Sequence, residues 1–297
     1  MNLFVTGGTG FVGREVVRQL SAAGHRVRAL VRPGSEKKLP DIAGIEACPG
    51  DATDAASLEG ALDGCQAVIH LVGIIREFPA QGVTFQKLHV EATGNLLAAA
   101  QQQGVSRYLQ MSANGTRDDA QTGYHRSKWQ AEQQVRASGL DWTIFRPSLI
   151  FGRSGEFVEM LAGFIRKLPV VPVIGDGRYR MQPVAVEQVA QSFVQALALP
   201  QTIGQTYQLG GAEAYSYDRI LDLTGAALGK EHVAKLHQPL LLIKPVVAVL
   251  EGVSCFPLTR DQLTMLLEEN TCDPTAWAEA FGITPVSYAD GIGACFA

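Results

Sequence analysis

Asn2-Leu3-Phe4-Val5-Thr6-Gly7-Gly8-Thr9-Gly10-Phe11-Val12-Gly13-Arg14 passes from an apolar run through clustered glycines into a helical pattern within one turn. The apolar run reads as a buried parallel strand. Val12, Val16, Val17 and Leu20 form the inward stripe of a helix running to about Gly24. A strand that turns straight into a helix leaves the helix's first N–H groups unpaired and aimed at the turn. With the helix dipole they make an anion site. Gly8, Gly10 and Gly13 fit G-x-G-x-x-G, whereas Gly7, Gly10 and Gly13 fit G-x-x-G-x-x-G. In either register, glycines permit the tight turn, the close approach of a pyrophosphate and close packing of helix on strand. Gly7, Gly8, Thr9, Gly10, Phe11, Val12 and Gly13 are therefore expected to hold a dinucleotide. The alternative is a glycine-rich turn that binds nothing.

Outward from this unit, strand patterns over 26–31, 45–48, 67–73, 108–112 and 142–147 alternate with helical patterns over 55–62, 85–103 and 124–138. Such alternation specifies an α/β fold, a doubly wound parallel (Rossmann) sheet covered on both faces by right-handed crossovers. Residues 1–152 are expected to form this dinucleotide-binding domain. Residues 153–297 are expected mainly in a smaller C-terminal lobe over the sheet's carboxyl edge, where ligands bind in open α/β sheets. Within that half, 186–199 reads as a helix returning to the first domain.

Apolar residues make up 46% of the chain and charged residues 18%, enough for a sizeable core and against disorder. A net charge of -4 and a pI near 5.9 give no electrostatic reason to expect nucleic acid. Cys48, Cys65, Cys255, Cys272 and Cys295 lie far apart with no C-x-x-C pair, as expected of reduced thiols in a cytoplasmic compartment. The scattered histidines form no ligand-like pair, so no metal is expected. The first strand begins at once, so no signal peptide is expected. Segment 240–250 is strongly apolar, but Lys244 and Pro245 interrupt it and it falls short of the roughly 20 residues of a membrane span. It reads as a buried or partner-facing helix.

The end of the second strand bears on cofactor choice. An NAD enzyme usually offers an acid to the ribose 2′-OH about 20 residues past the glycines. This chain offers Arg32, with Lys37 and Lys38 behind it and no acid before Glu36. A guanidinium suits a 2′-phosphate, which favours NADP over NAD; the alternative is a solvated loop arginine. Asp51, with Ala52 beside it, is placed to accept from the adenine amino group or to cap the next helix.

A second constellation is Tyr124-His125-Arg126-Ser127-Lys128, with Met111 and Ser112 upstream at the end of the fifth strand. Tyr124 and Lys128 are four apart, so a helix puts both on one face. A neighbouring ammonium favours the phenolate, letting Tyr124 exchange a proton with an alcohol or carbonyl near neutral pH. Ser112 is placed to donate to the same oxygen. The spacing alone is unspecific; its position downstream of a nucleotide motif gives it value.

The glycine motif, Ser112, Tyr124 with Lys128, and Arg146-Pro147-Ser148-Leu149-Ile150-Phe151-Gly152 together resemble the extended and atypical short-chain dehydrogenases/reductases. Within them the chain looks most like the group named for the nucleotide-binding accessory subunit of mitochondrial complex I. Gly175-Asp176-Gly177, Met181-Gln182-Pro183-Val184, Tyr207-Gln208-Leu209-Gly210-Gly211 and Pro257-Leu258-Thr259-Arg260-Asp261-Gln262 carry that closer likeness. The resemblance implies an NAD(P)-binding Rossmann domain with Ser112, Tyr124 and Lys128 in the places of the catalytic serine, tyrosine and lysine. It implies that Leu71, Val72 and Gly73 line the cofactor, with Met111, and that Pro147 and Ser148 approach the nicotinamide. One position departs: His89-Val90 stands where extended members usually carry asparagine before valine in the long helix. That histidine reads either as part of a polar path or as a packed helix residue.

Two functions follow. One is an NADP(H)-dependent oxidoreductase or epimerase acting on a small carbonyl or alcohol, with Arg76, Arg178, Arg180 and Gln182 as candidate anchors for an anionic substrate or as plain loop residues. The other is a non-catalytic nucleotide-binding scaffold, assembly factor or redox sensor that uses segment 240–250 for a protein partner. Monomer and homodimer both remain open.

Overall fold

The computed structural model describes residues 1–251 and 258–297. Cys255 and Pro257, both singled out in the sequence, lie outside the described residues. The chain divides into two units, the first made of 1–147, 186–208 and 275–283 and the second of 148–185, 209–274 and 284–297. The first stretch of the first unit ends at Pro147, and 275–283 joins it from far along the chain.

The first unit contains β1 (Asn2–Thr6), α1 (Phe11–Ala22), β2 (Arg26–Val31), β3 (Ile45–Pro49), β4 (Ala67–His70), α2 (Ala92–Gln102), β5 (Arg107–Met111), α3 (Gly123–Ala137) and β6 (Asp141–Pro147). α4 (Val186–Ala196), β7 (Gln205–Leu209) and α5 (Thr275–Phe281) complete it. The sheet order is β7-β6-β5-β4-β1-β2-β3, and the ladders β3–β2, β2–β1, β1–β4, β4–β5 and β5–β6 are all parallel. This is the expected doubly wound α/β sheet. Its order reverses between β1 and β4, and ligands of such sheets bind outside the strand ends at that switch point.

Strand alternation sends Phe4, Val68, Tyr108 and Ile144 to one face, where they pack with Leu96 and Ala100 of α2 and Val135 of α3. Leu3 and Val5 go to the other face; α1 buries Val16, Val17 and Leu20 completely. α4 packs beside α1, and Gln19 donates to the Glu187 carbonyl at 3.0 Å. An aromatic cluster retains the late segments: Phe145 of β6 meets Phe193 of α4 at 4.6 Å and Phe281 of α5 at 5.7 Å. Trp277 adds a 2.8 Å bond from its indole N–H to Ser192.

Two expected helices differ. The 55–62 pattern makes only a 3-10 turn, Ala55–Leu58. Its N-cap is Asp54, which accepts from the Ala56 N–H at 3.1 Å, so Asp51 is not the cap. The 85–103 pattern opens with a π-helical turn, Gln86–Glu91, before α2 begins.

The second unit has its own core, including Phe151, Leu161, Val173, Ile220 and Tyr288. Val171–Ile174 pairs in parallel with Lys235–Gln238. The helix Leu240–Leu250 buries only Val247 and leaves Leu241, Leu242, Val246 and Val249 exposed, so it is not the core helix its composition allowed. Among the described residues no helix is long and apolar enough to cross a membrane.

Candidate functional site

The glycine loop shows which of its two registers matters. Gly7 adopts φ +76°, and a Cβ there would stand 2.9 Å from the Leu71 carbonyl carbon and 3.0 Å from the Val72 nitrogen. The loop therefore lies directly against the segment leaving β4. Gly10 is the N-cap of α1, offers no side-chain cap, and donates its N–H to the Gly7 carbonyl at 3.0 Å. A Cβ on Gly13 would sit 2.0 Å from the Gly7 carbonyl oxygen. Gly7 and Gly13 are thus the positions where only hydrogen fits; a Cβ on Gly10 would press on the Gly7 carbonyl oxygen at 3.3 Å, and one on Gly8 would meet the Val17, Leu39 and Ala29 side chains. The result is a helix start with no side chain over its N–H groups, suited to a pyrophosphate. Gly13→Ala should force loop and helix apart at roughly 1–3 kcal/mol of overpacking strain, about 5- to 150-fold in affinity. A fluorescence titration with NADPH reads this directly, and unaltered binding would remove the loop from the site.

Beside the loop, Arg32 is exposed at the exit of β2, and among the described residues no carboxylate pairs with it. Lys37 and Lys38 are exposed in the 3-10 turn Glu36–Lys38. Asp51 folds its carboxylate back on Thr53, accepting from the backbone N–H and the hydroxyl at 2.9 Å each. Ala52 is buried, and its carbonyl is held by Asn95 at 3.0 Å.

The second constellation also lies in the first unit. Thr122 caps α3 by accepting from the His125 N–H at 3.3 Å, which sets the helix phase for Tyr124 and Lys128. The Lys128 ammonium donates to the Met111 carbonyl at 3.3 Å, at the end of β5 and one residue before Ser112. Ser112 is buried; its N–H donates to the Phe145 carbonyl at 2.7 Å and its hydroxyl lies 3.4 Å from that of Thr116. A Cβ on Gly73 would come within 2.9 Å of the Lys128 nitrogen, so the ammonium also reaches the loop leaving β4. Pro147 ends β6, where its carbonyl accepts from the Asn114 N–H at 2.9 Å.

Burial governs the titration of both groups. It lowers the Lys128 pKa to about 8, opposed by the Glu132 carboxylate one turn along α3. It raises the Tyr124 phenol to about 12. Burial is the cause that acts on this phenol, so Tyr124 stays protonated at neutral pH and is not the lysine-favoured phenolate expected from the sequence. A protonated phenol is a proton donor, the role that carbonyl reduction needs.

With this geometry in view, residues 7–161 match the family described as NAD(P)H-binding. The chain belongs to the NAD(P)H-binding family. It is 30% identical over 227 residues to the Arabidopsis thaliana mitochondrial NADH dehydrogenase [ubiquinone] 1 alpha subcomplex subunit 9, a match covering 74% of this chain and 56% of that protein. It is 27% identical over 229 residues to the NAD(P)H azoreductase of Xenophilus azovorans, covering 77% of this chain and 74% of the other. The fold matches the UDP-glucose 4-epimerase of Thermotoga maritima with a TM-score of 0.78 at 20% identity, over 99% of this chain and 97% of that one.

Within this NAD(P)H-binding chain, other expected residues are otherwise engaged. In the second unit the Ser148 hydroxyl donates to the Gln182 carbonyl, and its N–H donates to Leu209 at 2.9 Å. Gln182 is buried, donating to Gly211 at 2.8 Å and accepting from the Cys272 N–H at 2.9 Å, so it is an internal tie and no substrate anchor. Arg180 is exposed and donates to the Ala214 carbonyl at 3.4 Å; Arg178 is exposed as well. In the first unit Arg76 stacks over Phe78 at 5.3 Å. Sequence reasoning missed Ser127 and Glu132. Both lie on the Tyr124/Lys128 helix, and i,i+4 spacing from Lys128 was a usable signal for Glu132.

Proposed function

We propose that this protein is an NADP(H)-dependent oxidoreductase or epimerase acting on a small carbonyl or alcohol. The observation that carries the reading is the Lys128 ammonium bonded to Met111 at the end of β5, one helical turn from Tyr124 and beside Gly73. The uncapped start of α1 fits the pyrophosphate, and Leu71, Val72 and Gly73 line the same strand ends. When bound, the nicotinamide supplies or accepts the hydride. Tyr124 donates its phenolic proton to the substrate oxygen, Ser112 donates a hydrogen bond to that oxygen, and Lys128 holds positive charge beside them. Likeness to proteins named for azo and ceramide reduction supports redox chemistry on this scaffold. Cys48, Cys65 and Cys272 form no disulfide, which supports a reducing, cytoplasmic setting.

Arg32 supports NADP over NAD, because its exposed guanidinium can fork onto a 2′-phosphate. Arg32→Glu should weaken NADPH by about tenfold or more, the worth of a charge-assisted hydrogen bond, and leave NADH nearly unchanged. Paired titrations of wild type and variant measure this. Equal losses for both nucleotides would assign the adenosine side of the site elsewhere.

A second reading, a nucleotide-binding subunit of a larger assembly, is supported by the exposed apolar helix Leu240–Leu250 and by relatives named as complex I subunits. It predicts nucleotide binding without turnover.

A further inference from the structure

His89 sits where the sequence departs from its resemblance group, and its surroundings define one hydrogen-bonding state. The ring is 1% exposed, in the π-helical turn Gln86–Glu91. Such turns recur at functional sites because they re-aim one side chain within a helix. Its Nε2 accepts from the Ile74 backbone N–H at 3.1 Å, and its Nδ1 lies 2.8 Å from the Ser127 hydroxyl. The Ser127 hydroxyl in turn donates to the Tyr124 carbonyl at 2.8 Å. The ring stacks on Phe85 at 5.4 Å and meets Tyr124 edge-on at 5.5 Å.

Donor rules give this chain one direction. A backbone N–H only donates, so Nε2 must present its lone pair, and a neutral imidazole then carries its proton on Nδ1. Nδ1–H donates to Ser127 Oγ, which leaves the serine proton for the Tyr124 carbonyl. The order Ile74 N–H, His89, Ser127, Tyr124 carbonyl satisfies every member. Adding a proton to Nε2 would break the Ile74 bond and place two N–H groups face to face. Of the titratable groups around the ring, Lys128 on α3 and His70 at the end of β4 oppose that proton as well, while Tyr124 faces the ring edge-on as a neutral phenol. Burial and the Lys128 ammonium hold His89 far below its ordinary value, to about 2, and His70 to about 3.

We propose that His89 is a positioning residue, a fixed neutral strut that ties the segment leaving β4 at Gly73–Ile74 to the helix turn carrying Tyr124, and that it does not carry protons. The segment it holds is the one lying against Gly7 and the Lys128 ammonium, so the strut sets the spacing between the nucleotide loop and the proton donor. This inference rests on the oxidoreductase reading for its consequence, but its physical content is a tautomer and a bond pattern.

The test is ¹⁵N NMR of histidine-labelled protein, with the His89 signals assigned by their loss in His89→Gln. The Nδ1–H, neutral tautomer is expected from pH 8 down to pH 5, with and without NADPH. An Nε2–H tautomer, or a ring that gains a second proton in that range, overturns the strut. This measurement needs no substrate, so it stands apart from the Tyr124→Phe test of the reaction itself. The functional arm compares NADPH-dependent reduction of 4-nitrobenzaldehyde by two variants. His89→Leu should lower kcat at least about tenfold with KM nearly unchanged, a misplacement effect. His89→Gln, whose amide can accept from Ile74 and donate to Ser127, should recover most of it. Equal losses in the two variants would show that packing alone is at stake and would also overturn the proposal.

Discussion

Tyr124→Phe should bind NADPH with wild-type affinity and lose about 10²- to 10⁴-fold in turnover of a carbonyl substrate, the usual worth of a positioned acid. The substitution removes one hydroxyl and keeps the ring, which packs edge-on against Phe85 and His89. The fold is therefore spared. Burial holds the phenol at about 12, so the wild-type donor stays loaded through neutral pH, and reduction needs no prior ionisation of Tyr124. The reverse oxidation starts from the phenolate and should accelerate with rising pH toward that value. NADPH oxidation measures the reduction, and NADP⁺ reduction by the alcohol measures the reverse. Unchanged turnover in the variant would move the reading to the nucleotide-binding subunit.

Glu132→Ala should destabilise the protein by about 3–5 kcal/mol, the cost of leaving buried charge without its partner. Glu132 is 0% exposed and takes a two-pronged bond from Arg146, 2.8 Å from Nε and 2.6 Å from Nη2. Arg136 adds a third contact at 3.2 Å. These bonds fasten α3, which carries Tyr124 and Lys128, to the end of β6. Denaturant unfolding gives the stability change; a shift within about 0.5 kcal/mol would mean that the pair is dispensable. Glu132→Gln keeps the shape and removes the charge that raises Lys128. The sign follows: the Lys128 pKa falls further below about 8, and the alkaline limb of any Lys128-dependent activity moves to lower pH.

The parts of the site that were legible in the sequence are those whose physics is local. A glycine run between an apolar strand and an amphipathic helix announces its own turn, because the requirement for φ above zero at Gly7 and for hydrogen at Gly13 arises within a dozen residues. The Tyr124/Lys128 face follows from helix geometry alone. Asp51 illustrates the limit: Asp51 and Asp54 both precede the 3-10 turn, and only the backbone path decides that Asp54 caps it. Segment 240–250 illustrates another, since apolar composition reads the same for a helix in a core and for one exposed on its surface.

The sequence by itself determined the doubly wound sheet, the dinucleotide loop and the order of the chemical residues, since periodicity, glycine spacing and charge at the exit of β2 are short-range signals. Only the tertiary structure decided how those residues titrate and what they touch. Whether an ammonium lowers a phenol, or burial raises it, depends on how much water the packed neighbours exclude. Whether His89 is a relay or a strut depends on an N–H from Ile74, 15 residues earlier, and a hydroxyl from Ser127, 38 residues later. Such contacts carry no periodicity along the chain, because what brings them together is the closing of the strand layer against the helix layer.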